Sequence, residues 1–184
     1  MKFSKAYWPN IITLSNLSLG MVAILLVTSP SDSSDNMLVA ASFLVMFAAL
    51  TDRLDGKVAR KLNAESELGK ELDSLADLVS FGIAPVVIAW NLGLSDLKWI
   101  GMIICVLYPM SGAFRLARFN STDFDNIFMG VPITIAGALL ALINLINCFL
   151  LVDGQLAFRH TIIAALATLI LSYLMVSKIR IAKR

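Results

Sequence analysis

One charged stretch organises the chain: residues 51–77 read TDRLDGKVARKLNAESELGKELDSLAD. This stretch holds seven of the thirteen acidic residues in the protein. Apolar sequence flanks it, because residues 37–50 and 78–92 contain no acidic or basic side chain. Acidic residues at the edge of an apolar membrane segment are costly and are usually functional. We therefore expect a functional site here, between two membrane spans.

The composition of the whole chain is that of a membrane protein. Of the 184 residues, 58% are hydrophobic and 15% are charged, whereas soluble domains contain about 45–50% apolar and about 25% charged residues. A spanning helix needs about 20 apolar residues. We expect an all-α integral membrane protein, with one domain over residues 1–184. Six spans are predicted, at about Trp8–Val27, Met37–Leu50, Leu68–Leu92, Leu97–Ala113, Phe128–Val152 and Thr161–Val176.

The basic residues predict the orientation. Thirteen of the fifteen Lys and Arg residues fall on one predicted side, including Arg115 and Arg118 in the predicted loop between spans four and five. Only Lys98 and Arg159 fall on the other side. Cytoplasmic loops carry an excess of Lys and Arg, so we expect a multi-pass protein of the cell membrane with both termini and the charged stretch in the cytoplasm. The net charge of +2 indicates no nucleic-acid partner.

Four aspartates in the charged stretch have the spacing of a metal site. Asp52 and Asp55 are three residues apart, and Asp73 and Asp77 are four apart, so on helices each pair shares a face. Four close carboxylates cannot all stay ionised without cations, and such hard ligands suit Mg²⁺ or Mn²⁺. Two such ions could clamp a diphosphate. The alternative is an interfacial cluster of salt bridges with the neighbouring basic side chains.

Three nearby residues suit a phosphate-containing ligand. Gly56 would let a ligand approach the backbone closely, and Gly69 would let two helices approach at the level of the metals. Arg60 could bind phosphate oxygens through its planar guanidinium. A divalent-cation transporter would also use membrane carboxylates, but it predicts acids throughout the membrane depth, and the predicted spans four to six contain none. A structural scaffold would leave the aspartate spacing unexplained.

The full motif is longer than the four aspartates. It reads Asp52-x-x-Asp55-Gly56-x-x-Ala59-Arg60, then eight residues, then Gly69-x-x-x-Asp73-x-x-x-Asp77. This pattern resembles the signature of the CDP-alcohol phosphatidyltransferase family. The segment DSLADLVSFGIAP at residues 73–85 is similar to the extended motif of the CDP-diacylglycerol–serine O-phosphatidyltransferases. The segment FRLARFN at residues 114–120 and the first span, from Pro9 to Gly20, are similar to the same group.

The resemblance implies a six-helix membrane enzyme, usually a homodimer, that transfers a phosphatidyl group from CDP-diacylglycerol to L-serine and releases CMP. It implies that the four aspartates hold two divalent cations and that Asp77 is the general base for the serine hydroxyl. It also implies that Gly56, Ala59 and Arg60 line the nucleotide site. We expect direct displacement, because the reaction needs no enzyme nucleophile.

Four polar residues are further candidates for the site. Ser74 and Ser80 lie close to the motif and could hydrogen-bond the substrate serine, although serine commonly packs between membrane helices. Thr13 and Asn16 are three residues apart in the first span, and the resemblance brings that face near the nucleotide. Hydrogen bonding between helices is the alternative for this pair.

The serine carboxylate needs a cationic partner. Arg115 and Arg118 are candidates because a guanidinium can bind a carboxylate through two hydrogen bonds, although basic residues on this side also set the topology. Other acceptors used within the family, glycerol 3-phosphate or inositol phosphate, carry a phosphate and would need a more basic pocket. The segment at residues 73–85 argues against them.

Overall fold

The computed structural model describes residues 7–29, 35–62, 66–121 and 127–182; within them, the side chains of residues 7–9, 54–62, 127–129 and 180–182 are not described. Six helices, or helical runs, in these ranges are long and apolar enough to cross a membrane. The prediction of six spans in an all-α membrane protein is confirmed. The elements in chain order are α1 (Tyr7–Thr28), α2 (Asp35–Leu62), α3 (Glu67–Asp77), a π-helical turn (Leu78–Ile83), α4 (Ala84–Asn91), a 3₁₀ turn (Leu94–Leu97), α5 (Trp99–Asn120), β1 (Ile127–Met129), α6 (Ile133–Val152), α7 (Phe158–Val176) and β2 (Arg180–Ala182).

The bundle is apolar on its outside and has small residues within. Leu50 and Ile103, for example, are more than half exposed, whereas Ala23, Ala41 and Ala48 are completely buried. An outward apolar surface suits lipid, and small side chains let membrane helices approach one another closely. This arrangement is that of a bundle surrounded by lipid.

The third span is a helix with one widened turn. Pro85 lacks the amide hydrogen that an α-helix would bond to the carbonyl four residues earlier. The Ala84 amide bonds instead to the Val79 carbonyl, five residues back. The resulting π turn begins directly after Asp77, and such turns are frequent at functional sites.

Glycines on two other helices fix this π turn in the bundle. A Cβ at Gly20 of α1 would lie 2.7 Å from the Ser80 Cα, and a Cβ at Gly137 of α6 would lie 2.8 Å from the Phe81 Cα. Both distances are far below an ordinary van der Waals contact. The π turn therefore packs against bare backbone from α1 and α6, which sets the depth of Asp77 in the bundle.

α2 continues past Leu50 through the charged stretch to Leu62, because no proline stops it. Two predicted boundaries were wrong. α5 continues past Ala113 to Asn120, because no glycine or proline stops it, so Arg115 and Arg118 lie on a helix and not in a loop. The fifth span begins at Ile133 instead of about Phe128.

The residues before the fifth span form a short β-ribbon that the sequence did not predict. β1 pairs with β2 in antiparallel register. Gly130 then adopts a positive φ of 75°, and Pro132 takes the N-cap position of α6. These two residues separate the strand from the helix, because glycine tolerates that backbone angle and proline cannot donate a ladder hydrogen bond.

Candidate active site

Three carboxylates from two spans meet at one point. Asp52 on α2 and Asp73 and Asp77 on α3 each offer an oxygen, and these oxygens all lie within 4.8 Å of one another. Asp77 is buried, and the other two side chains are half-buried. The spacing of four brings Asp73 and Asp77 onto one face of α3, and the packing of the bundle adds Asp52. We call these three side chains the aspartate cluster.

The remaining motif residues of α2 have described backbone but side chains outside the description. The helix runs without a break through Asp55, Gly56, Ala59 and Arg60. Asp55 therefore follows Asp52 by about one helical turn. The contributions of these four side chains stay predictions.

The aspartate cluster fits divalent cations. Carboxylates this close cannot all stay ionised without compensating positive charge, and all three donors are hard oxygen ligands of the kind that Mg²⁺ and Mn²⁺ prefer. The described helices α5, α6 and α7 contain no acidic residue. The acids are thus concentrated at one place and do not form a path across the membrane.

The two predicted carboxylate-binding arginines point to different neighbours. Arg115 is buried, and its guanidinium lies close enough to Asp77 to interact electrostatically. Its Nε has no hydrogen-bond partner among the described residues. Arg118 instead donates to the Val176 carbonyl at 3.1 Å and to the Ser177 carbonyl at 3.4 Å, at the end of α7. Arg115 is therefore the better candidate of the two for the aspartate cluster.

The hydroxyls of the two predicted serines bond to backbone carbonyls. Ser80 is fully buried and donates to the Asn16 carbonyl at 3.0 Å. Ser74 donates to the Lys70 carbonyl at 3.1 Å and accepts from the Asn120 amide at 3.0 Å. Ser80 thus ties the π turn to α1, and Ser74 ties α3 to the end of α5.

The first span contributes buried polar groups near the π turn. Thr13 and Asn16 are both buried, and Asn16 lies against Ser80, about one turn beyond Asp77. Neither amide atom of the Asn16 side chain has a hydrogen-bond partner among the described residues. Because buried polar atoms are almost always satisfied, Asn16 is suited to bind a ligand or water.

Gly69 lies at a close contact between two helices. A Cβ at Gly69 would lie 3.1 Å from the Asn10 Oδ1 of α1 and 3.0 Å from the Ser66 Oγ. The Ser66 hydroxyl caps the start of α3 by accepting from the Gly69 amide. The glycine therefore lets the start of α3 approach α1.

Sequence reasoning missed three residues near the site. Thr134 of α6 lies near the Asp52 side chain, and nothing in its local sequence indicates this. Phe119 stacks within 5.9 Å of the Arg115 guanidinium. Asn120 donates to Ser74, and both it and Phe119 lie in the FRLARFN segment, which could have identified them.

Several known proteins are similar to this chain in sequence. Residues 6–176 match the family described as CDP-alcohol phosphatidyltransferase. The chain is 37% identical over 176 residues to the CDP-diacylglycerol–serine O-phosphatidyltransferase of Bacillus subtilis (strain 168), across 95% of this chain and 89% of that protein. It is 39% identical over 143 residues to the protein of the same name from Helicobacter pylori (strain ATCC 700392 / 26695), across 76% of this chain and 58% of that protein. It is 34% identical over 174 residues to the archaetidylserine synthase of Methanothermobacter thermautotrophicus, across 93% of this chain and 67% of that protein.

Proposed function

Because the chain belongs to the CDP-alcohol phosphatidyltransferase family, we propose that it transfers the phosphatidyl group of CDP-diacylglycerol to the hydroxyl of L-serine, giving phosphatidylserine and CMP. The observation that carries the proposal is the aspartate cluster, whose oxygens lie within 4.8 Å of one another. Its members occupy three positions of the motif that resembles the family signature. The names of the similar proteins add support for serine as the acceptor.

Serine suits the charge of the site better than a phosphorylated acceptor. Arg115 is buried beside Asp77, and one guanidinium matches one carboxylate through paired hydrogen bonds. The phosphate group of glycerol 3-phosphate or inositol phosphate would instead bring a double negative charge toward the carboxylates of the aspartate cluster. We therefore assign the serine carboxylate to Arg115 and not to Arg118, which bonds to the end of α7.

Two divalent cations, Mg²⁺ or Mn²⁺, would be held by Asp52, Asp73 and Asp77, together with Asp55 from the same motif. When bound, such cations polarise a diphosphate and neutralise charge on the departing CMP. Gly56, Ala59 and Arg60 follow on α2 and would line the nucleotide site, with Thr13 and Asn16 facing it from α1. These nucleotide assignments follow the family motif.

The chain's own residues supply proton transfer and orientation. The serine oxygen attacks the phosphatidyl phosphorus, the bond from that phosphorus to the CMP oxygen breaks, and the hydroxyl proton passes to the Asp77 carboxylate as general base. The Ser74 and Ser80 hydroxyls already donate to backbone carbonyls, which supports direct displacement without an enzyme nucleophile. Stereochemical inversion at phosphorus would be the signature of this route.

We further propose that residues 1–184 form one catalytic domain of the cell membrane, with the aspartate cluster facing the cytoplasm. The supporting observation is the skew of thirteen among fifteen basic residues toward one side. A homodimer is proposed from the family resemblance alone. Labelling of single cysteines placed near each terminus in sealed vesicles would test the orientation.

Release of CMP tests the function. Membranes containing the protein receive CDP-diacylglycerol, Mg²⁺ or Mn²⁺, and serine, glycerol 3-phosphate or inositol phosphate in turn. We expect CMP only with serine, and a loss of about 10²-fold or more in Asp77→Asn. Asp96→Asn is the matched control, because Asp96 is exposed in the 3₁₀ turn between the third and fourth spans. No CMP with any acceptor, or CMP with a phosphorylated acceptor, would overturn the proposal.

A further inference from the structure

The last turn of α5 is fastened to α3, the helix that supplies two members of the aspartate cluster. The Asn120 side-chain amide donates to the Ser74 hydroxyl at 3.0 Å and to the Glu71 carboxylate at 3.3 Å. The neighbouring Phe119 contacts the same helix, because the Lys70 Nζ lies 5.7 Å from the centroid of its ring. Three side chains of α3 thus hold the turn that carries the Phe119 ring.

The Phe119 ring also contacts a buried arginine. The Arg115 Cζ lies 5.9 Å from the ring centroid, and the two residues are four positions apart on α5, where side chains share a face. The face of an aromatic ring is negative and attracts a cation within about 6 Å of its centroid. Arg115 is buried, whereas Phe119 is 49% exposed. The ring therefore links a buried guanidinium to the contact between α3 and α5.

A buried guanidinium that binds a ligand needs such a partner. Burial of a charge is costly unless the charge is paired, and the Arg115 Nε has no hydrogen-bond partner among the described residues. A guanidinium that receives a carboxylate through paired hydrogen bonds must also present a fixed plane, since its donors lie in that plane. A ring held against the guanidinium restricts this plane before the carboxylate arrives, so binding costs less conformational freedom.

Arg118 makes the same kind of ring contact but has other partners. Its Cζ lies 5.9 Å from the centroid of the Phe114 ring, and its guanidinium donates to the Val176 carbonyl at 3.1 Å. That bond orients Arg118 without the ring. Phe119 therefore matters for the orientation of its arginine, whereas Phe114 does not.

We propose that Phe119 is a positioning residue for the substrate serine. Its ring holds the Arg115 guanidinium in the orientation that receives the serine carboxylate, and the bonds of Asn120 to α3 hold the ring in place. This inference deepens the proposed function and rests on its assignment of the serine carboxylate to Arg115. Phe119 acts on binding and not on proton transfer, so its loss raises the KM for serine and leaves kcat nearly unchanged.

Initial rates of CMP release against serine concentration test this role, with CDP-diacylglycerol and Mn²⁺ held at saturation for the full chain. We expect Phe119→Leu to raise the KM for serine about 5-fold to 30-fold, the range of a partly desolvated cation–π contact, while kcat stays near wild type. Phe119→Tyr keeps the ring and is expected to keep a KM near wild type. Phe114→Leu is the matched control, because it removes a ring at the same 5.9 Å from an arginine, and its KM is also expected to stay near wild type.

A double-mutant cycle shows whether the ring acts through Arg115. We expect Phe119→Leu to add little to the KM already raised by Arg115→Gln, because the effects of residues in contact are not additive. Phe119→Met keeps an apolar side chain without a ring and replaces Phe119→Leu if that variant does not fold. Unfolding temperatures are recorded for every variant.

Several outcomes would overturn the inference. An unchanged KM in a folded Phe119→Leu or Phe119→Met would do so, as would an equal rise in Phe119→Tyr or Phe114→Leu, or a full further rise in the double mutant. A wild-type chain that releases no CMP with serine would overturn the proposed function together with this inference. Serine-dependent CMP release whose KM rises in Arg115→Gln but not in Phe119→Leu would overturn this inference alone.

Discussion

The contact between Gly20 and the π turn predicts a large effect from one added methyl group. In Gly20→Ala, the new Cβ would lie 2.5 Å from the Ser80 Oγ and 2.7 Å from the Ser80 Cα. Rotation of a side chain cannot relieve the second distance, because the Cα belongs to the backbone. To reach the 3.4 Å of an ordinary contact, α1 and the π turn must separate by about 0.7 Å. Such overpacking lowers the free energy of unfolding by about 1–3 kcal/mol.

That shift acts about one turn away from Asp77, the proposed general base. It would stretch the hydrogen bond from Ser80 to the Asn16 carbonyl, now 3.0 Å, and would move Asp77 with the π turn. A displacement of about 1 Å at a reacting group can cost about 10²-fold in rate. We therefore expect Gly20→Ala to lose about 10-fold to 10²-fold in kcat/KM and to unfold about 5 °C lower.

The assay is CMP release against serine concentration, with thermal unfolding of the same detergent-solubilised samples. Gly82→Ala is the matched control, because its Cβ would meet the flexible end of Leu78 at 3.0 Å and no backbone atom within 3.5 Å. We expect this control to keep most of its activity and stability. A Gly20→Ala protein with wild-type rate and unfolding temperature would refute the claim that bare backbone at Gly20 sets the position of Asp77.

Three further predictions concern individual side chains. Arg115→Gln should raise the KM for serine by about 10-fold to 10²-fold, because a hydrogen bond to a charged group is worth about 1.5–3 kcal/mol; an unchanged KM in initial-rate measurements would exclude Arg115 from the serine site. Arg118→Gln should lower the unfolding temperature through loss of its bonds to the Val176 and Ser177 carbonyls while the KM for serine stays near wild type. Ser80→Ala should lose about 1 kcal/mol of stability yet retain turnover, and complete loss of CMP release in a folded Ser80→Ala would contradict direct displacement.

The spans were predictable because lipid imposes a length and an apolar composition on each of them. Boundaries were less predictable where local residues decide them. Gly130 and Pro132 move the start of the fifth span to Ile133, although the sequence around them stays apolar. The π turn depends on the missing amide of Pro85 and on its neighbours in the bundle, so a helical periodicity alone cannot reveal it.

The site was predictable where it depends on one helix and unpredictable where it depends on several. Helical spacing alone brings Asp73 and Asp77 together, whereas the approach of Asp52 depends on how α2 crosses α3. Arg115 and Arg118 are three residues apart, and their sequence context is nearly the same. Only the packing of α5 against α7 shows that Arg118 bonds to the end of α7 while Arg115 lies beside Asp77.

The start of the fifth span shows the same limit most clearly. The backbone just before α6 is held by hydrogen bonds from the Gly130 amide to the Ile179 carbonyl and from the Val131 amide to the Leu174 carbonyl. Each of these bonds joins residues more than forty positions apart. Contacts of this kind arise from tertiary packing, so a single sequence carries no local signal for them.

Competition among acceptors tests the central claim most directly. The purified protein receives CDP-diacylglycerol, a divalent cation, and equal concentrations of serine, glycerol 3-phosphate and inositol phosphate in one mixture, and the lipid products are identified by mass spectrometry. The account predicts phosphatidylserine as the product, in amounts equal to the CMP released, and its loss in Asp77→Asn. Formation of a lipid that carries the extra phosphate group of glycerol 3-phosphate or inositol phosphate, in place of phosphatidylserine, would contradict the account. The absence of any lipid product would also contradict it.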